Sequence, residues 1–164
     1  MTSELYKQLN SNIKTLSKDD LIVFGAEICK QLLSDYKAFE EKHKWGNYLL
    51  LEETLTKITK KELRHSDLKP LTSKIKEVIP DTEDFGDFIS SYALNAAASV
   101  LELIEYLFDN NKGHIINISG YATDSVDFKL QENNPGIPDK ELENHPLLIA
   151  ELNKQLGLTK SKFN

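Results

Sequence analysis

The sequence predicts an all-α fold, a single-domain helical bundle of about six to seven helices around a long central helix at about residues 83–109. Three observations carry this expectation. Apolar residues recur every three or four positions along nearly the whole chain, the spacing of one helix face. The turn clusters Trp45-Gly46-Asn47, Asn110-Asn111-Lys112-Gly113 and Asn133-Asn134-Pro135-Gly136 cut that pattern into helix-length pieces. No repeat, low-complexity segment or long linker divides the 164 residues, so they read as one all-α domain over 1–157 with a frayed tail over 158–164.

Taken in order, Leu5, Leu9, Ile13 and Leu16 form the stripe of an opening helix, with Thr2 or Ser3 as its cap. Ser17 caps a second helix whose first turn carries Asp19 and Asp20, acidic groups that suit the positive end of the helix dipole. Leu21, Phe24, Ile28, Leu32, Tyr36 and Phe39 line its wide apolar face, and it runs to His43. A third helix spans Tyr48 to about Glu62, with Leu51, Leu55 and Ile58 inward. Pro70 suits the first turn of a short fourth helix, because its missing N–H is not needed there, and Pro80 stops it. The fifth helix, about Glu83 to Asp109, carries Phe85, Phe88, Tyr92, Ala96, Val100, Leu103 and Leu107 at spacings of three or four. Ala96-Ala97-Ala98 lets another helix approach closely. A sixth helix covers His114 to about Gln131; Pro138 opens a short turn, and Pro146 opens a last helix that Gly157 ends.

With 40% hydrophobic and 28% charged residues, the composition is that of a folding chain rather than a disordered one. The single cysteine, Cys29, sits in an apolar helical pattern, which excludes a disulfide framework and predicts a buried thiol. Met1 to Leu16 has charges throughout, and no run of about 18 apolar residues follows, so neither signal peptide nor membrane span is expected and a cytoplasmic location is.

The net charge of −6 is unevenly placed. Residues 1–80 hold 14 Lys/Arg against 12 Asp/Glu, whereas residues 81–164 hold 6 against 14, or −8. Such a second half repels nucleic acid and anionic membrane and attracts a basic partner. Between Asp81 and Asn111 there is no Lys or Arg. Opposite the apolar stripe of the fifth helix, Asp84, Asp87, Ser91, Asn95, Ala98, Glu102, Glu105 and Asp109 follow at three or four, aligning five carboxylates on a ridge roughly 38 Å long. The competing reading is a solvated face partly paired with lysines of the first half.

Other constellations are weaker. Asp81, Glu83, Asp84 and Asp87 crowd a helix start, where carboxylates are favoured without any ion, so a metal-assisted hydrolase is the least favoured class. His43, His65, His114 and His145 lie far apart with no HxxxH or CxxC spacing, and no metal or cofactor is expected. Neither a GxSxG elbow nor a GxGxxG or GxxxxGK[ST] loop is present, which argues against an enzyme. Lys57, Lys60, Lys61 and Arg64, interrupted by Glu62, read as a solvated helix end. Asn117, Ser119, Tyr121, Thr123, Asp124 and Ser125 give the sixth helix a polar density that hydrogen bonds to helix carbonyls or within a polar core would absorb.

Several stretches together resemble the YjaG-like family of bacterial proteins, a domain family of unknown function. They are Phe24 to Cys29 leading to Tyr36 and Phe39, Ile79-Pro80-Asp81 with Asp84-Phe85, Ala93 to Ala96, Ser119 with Ser125-Val126, and Leu142-Glu143-Asn144-His145-Pro146. The likeness spans most of residues 20–155, implies an all-α fold and brings no activity or catalytic residue. Two departures stand out: the chain stops soon after Leu156, and Asn95 stands where an aspartate is usual. A shortened, acidic member looks like the immunity proteins of bacterial toxin systems. The resulting expectation is a non-catalytic binding protein that docks Asp84, Asp87, Asn95, Glu102, Glu105 and Asp109 over the groove of a basic, nuclease-type toxin domain. The alternative is a housekeeping or regulatory helical module.

Overall fold

Seven helices of twelve or more residues and one single-turn helix make up the computed structural model, which describes residues 1–160, and no strand occurs among them. They are α1 (Thr2–Thr15), α2 (Lys18–His43), α3 (Tyr48–Thr59), α4 (His65–Lys76), α5 (Phe88–Asp109), α6 (Gly113–Asn133), α7 (Asp139–Glu143) and α8 (Pro146–Lys160). The all-α expectation therefore holds. None of these helices is long and apolar enough to cross a membrane.

The central layer is α2, α5 and α6, with α5 packed against both others. α4 adds to α5, α3 leans on α2, and α1 pairs with α8 beside α6. Small residues make this possible: Ala93, Ala96 and Ala97 of α5 are fully buried. Gly25 of α2 lies so close that an added Cβ would stand 3.0 Å from Leu103 Cδ1 and 3.3 Å from Ile118 Cδ1. One continuous core results, from Leu9 and Ile13 through Phe24, Ile28, Tyr36 and Phe39 to Leu103, Ile118 and Leu152. Cys29 is wholly buried and burial pushes its thiol up to about 12, as a structural cysteine requires.

Local chemistry sets several ends as expected. The Ser17 hydroxyl accepts the Asp20 N–H at 3.2 Å to open α2. Lys44, left-handed at φ 52°, closes it. At the following break Gly46 has φ 102° and lies against Tyr36, whose hydroxyl accepts the Asn47 N–H and donates to the Val78 carbonyl.

Other boundaries differ. The opening helix starts at Thr2 without a side-chain cap, and α3 ends at Thr59 rather than near Glu62. Pro70 lies inside α4, five residues past its start, because Asp67 accepts the Arg64 N–H at 2.8 Å and begins the helix earlier. Gly157 does not end the last helix, which continues to Lys160 with Thr159 buried and accepting from Asn12 Nδ2 at 2.9 Å. Residues 158–160 of the expected frayed tail are thus helical; residues 161–164 lie outside the described residues.

The central helix is also shorter at its start than 83–109. Asp81 accepts the Glu83 N–H, but this cap closes only a 3-10 turn over Thr82–Asp84. Gly86 at φ 53° leads the backbone away, and Asp87 in extended conformation caps α5 by accepting the Ser90 N–H. At 22 residues, α5 is roughly 33 Å long.

Candidate functional site

This new start breaks the acidic ridge. Asp84 and Asp87 precede α5, so they do not share its face. Asp87 is already partnered: its Oδ2 takes Lys42 Nζ at 2.7 Å and His43 Nε2 at 2.9 Å. Burial works against its charge, yet these bonds and the Ser90 N–H outweigh it and hold the carboxyl below the ordinary value. Asn95 and Ala98 are buried, Asn95 donating to Ser125 Oγ at 3.0 Å, because helices pack around the middle of α5. Neither presents a side chain to a partner.

What the fold does assemble is the far end of the ridge. Asn110, left-handed at φ 59°, turns the chain so that α6 returns antiparallel along α5. Asp109 Oδ1 accepts the Asn111 N–H at 2.8 Å and Asn111 Oδ1 the Gly113 N–H at 2.9 Å, which ties the three-residue connection down. His114, in the first turn of α6, is thereby swung back between the carboxylates of α5. Its Nδ1 lies 2.5 Å from Glu102 Oε2 and 3.6 Å from Glu105 Oε2, while Nε2 lies 3.0 Å from Asp109 Oδ2. Asn117 Nδ2 holds the other Glu102 oxygen at 3.1 Å.

With a carboxylate at each ring nitrogen, the arrangement suits an imidazolium, the one form that donates from both. Burial disfavours that charge, but the hydrogen bonds to Asp109 and Glu102 prevail and raise the His114 pKa above its ordinary value. The Asn111 N–H, and then His114, hold the Asp109 carboxyl low. Beside the group lies a cleft of about 280 Å³ lined by Lys69, Thr72, Glu105, Phe108, Asp109 and His114. Phe108 is 54% exposed and stacks on His65 with centroids 5.0 Å apart.

The remaining sequence candidates resolve into structure. Among the described residues, one set of three potential metal ligands converges, Glu102, Glu105 and His114; the Asp81–Asp87 run does not. Lys61 pairs with Asp19 at 3.2 Å and Arg64 with Asp67 at 3.5 Å, as a solvated helix end would. Three of the polar residues of α6 are buried and satisfied internally: Ser119 donates to Gln155 Oε1, Ser125 accepts from Asn95 and Thr123 donates to the Gly120 carbonyl of its own helix; Asn117 and Asp124 are exposed. His114 and Phe108 escaped sequence reasoning as site residues. Their signal was present: Glu102 and Glu105 one turn apart, then a four-residue turn cluster, then His114, a spacing that an antiparallel hairpin brings together.

The architecture is that of an all-α bundle with a polar corner at the head of its central hairpin. Its family is shown directly: the chain belongs to the family described as Protein of unknown function (DUF416), whose profile matches residues 8–161. A crystal structure of a DUF416 family protein from Shewanella baltica OS155, determined at 1.91 Å resolution, has the same fold. It superposes with a TM-score of 0.81 and 18% identity, over 91% of this chain and 80% of that one. No curated protein matches the chain.

Proposed function

We propose that this chain is a non-catalytic binding protein that receives a basic protein partner at the α5–α6 corner. The observation that carries the reading is the cleft itself. Glu105 and Asp109 keep 37% and 45% of their side-chain surface exposed, beside the exposed Phe108. An apolar anchor among carboxylates suits a Lys or Arg side chain, whose stem covers the ring while its head meets the acids. The −8 charge of residues 81–164 favours the same sign of partner over a longer range.

The finer form of the proposal is an immunity protein whose acidic corner covers the substrate groove of a basic, nuclease-type toxin domain. The acidic charge of residues 81–164 supports it, since a nuclease groove built to hold a phosphate backbone is basic. The docking set is Glu105 and Asp109, without Asp87, Asn95 and Glu102, whose side chains are engaged internally.

The test is to co-express the chain with the product of the adjacent upstream gene and to co-purify the two at about 150 mM salt, where the screening length is near 8 Å. A complex that weakens toward 1 M salt, silences the neighbour's toxicity and is lost on Glu105→Lys/Asp109→Lys is expected. A complex indifferent to that double reversal, in a variant with unchanged urea stability, rejects the corner as the docking site. No complex and no toxicity leaves the housekeeping or regulatory module in its place.

A further inference from the structure

We infer that Glu102, Glu105 and His114 bind one divalent transition-metal ion of the zinc type, through His114 Nδ1 and one oxygen of each glutamate. The inference does not rest on the partner reading. Its basis is that three donor atoms, from two positions on α5 and one on α6, lie within 4.8 Å of one another. Bonds of about 2.0 to 2.2 Å in tetrahedral geometry place ligand atoms roughly 3.3 Å apart. Glu105 Oε2 already lies 3.6 Å from Nδ1, and Glu102 Oε2, at 2.5 Å, has only to withdraw.

Around the donors the arrangement is that of a supported metal site. Asp109 accepts from Nε2 at 3.0 Å, so the ring is oriented with Nδ1 toward the glutamates, as ligating histidines are when a carboxylate holds their second nitrogen. Asn117 donates to the Glu102 oxygen that faces away from Nδ1. The ion takes the place of the Nδ1 proton, which passes to solvent, and Nε2–H stays on Asp109.

Charge and access agree. Three carboxylates meet one imidazole here, and among the described residues no Lys or Arg forms an ion pair with Glu102, Glu105 or Asp109. A dication offsets that excess better than one proton does. Glu105 and His114 also line the 280 Å³ cleft, which leaves the fourth position open to water or a small ligand. One imidazole with two carboxylates suits zinc, manganese, iron or cobalt, whereas calcium prefers oxygen throughout.

Metal-free full-length protein titrated with Zn²⁺ alone in a calorimeter tests the site, with Co²⁺ visible absorption as a second reading. One ion per chain is expected, bound at least tenfold more weakly by His114→Ala and Glu105→Gln and about tenfold more weakly by Asp109→Asn, which removes the ring's support. His145→Ala, remote in sequence, retains the wild-type affinity. Circular dichroism separates lost binding from lost folding in each variant. Absence of stoichiometric binding at millimolar Zn²⁺ overturns the inference, and so does binding that folded His114→Ala and Glu105→Gln leave unchanged. Because the probe is the ion alone, either result is independent of whether a basic partner exists.

Discussion

A carboxylate counted by its sign and a carboxylate counted by its neighbours are different objects, and Asp87 shows the difference. It caps α5 through the Ser90 N–H and receives both Lys42 and His43, so its charge is spent inside the fold. Asp87→Ala is therefore expected to cost about 1 to 2 kcal/mol in urea unfolding, the range of a lost N-cap, and to leave partner binding intact. A stable variant that no longer binds would restore Asp87 to the docking surface. Asp127 behaves in the opposite sense. Its Oδ1 is buried without a hydrogen-bond partner, and burial, then the charge of Asp124 one turn earlier, raises its pKa. The folded state then favours the protonated acid, so this residue's contribution is full below the unfolded value near 3.9 and falls as pH rises through the higher folded pKa. Asp127→Asn should accordingly gain melting temperature relative to wild type from pH 4 to pH 7; an equal difference at both pH values contradicts this. Neither behaviour was legible from residue type, because the partners of Asp87 stand 44 or more positions away and the burial of Asp127 is set by tertiary packing.

Elements were readable where one residue decides the outcome locally. Ser17 as a cap, the Trp45-Gly46-Asn47 break and the Asn110 turn needed no tertiary knowledge. Gly46 is the sharpest case, since its φ of 102° excludes a side chain and any Cβ would strike the Tyr36 hydroxyl that ties α2 to Asn47 and Val78. Gly46→Ala should destabilise by on the order of 2 kcal/mol, seen as a lower urea midpoint with unchanged slope. An unaltered midpoint would mean the break tolerates another conformation. Elements were misread where two signals compete. Asp81 and Asp87 both offer caps, and Gly86 between them decides which one opens the long helix. At Gly157 the packing of Thr159 against Asn12 overrides a residue that would end an isolated helix.

At the scale of the whole molecule, periodicity identified an all-α bundle because every long helix must bury a stripe, whereas the site depended on how α5 and α6 fold back on each other. The ridge drawn along one straight helix lost its first two members, Asp84 and Asp87, to an early turn and its middle to packing. Its last three carboxylates gained His114, which sequence distance had set aside as solitary. The strongly acidic second half is the property that would act at a distance on a basic partner, through association rate before contact.

The most direct measurement is therefore the association rate of the purified chain with the adjacent gene's product, across salt, for wild type and for Glu105→Lys/Asp109→Lys. The account predicts a wild-type rate that falls steeply with ionic strength and a variant at least tenfold slower at low salt, with the two converging at about 1 M, where screening is nearly complete. Equal rates at low salt, in a variant that folds and unfolds like wild type, would contradict the claim that the α5–α6 corner is where this protein meets its partner.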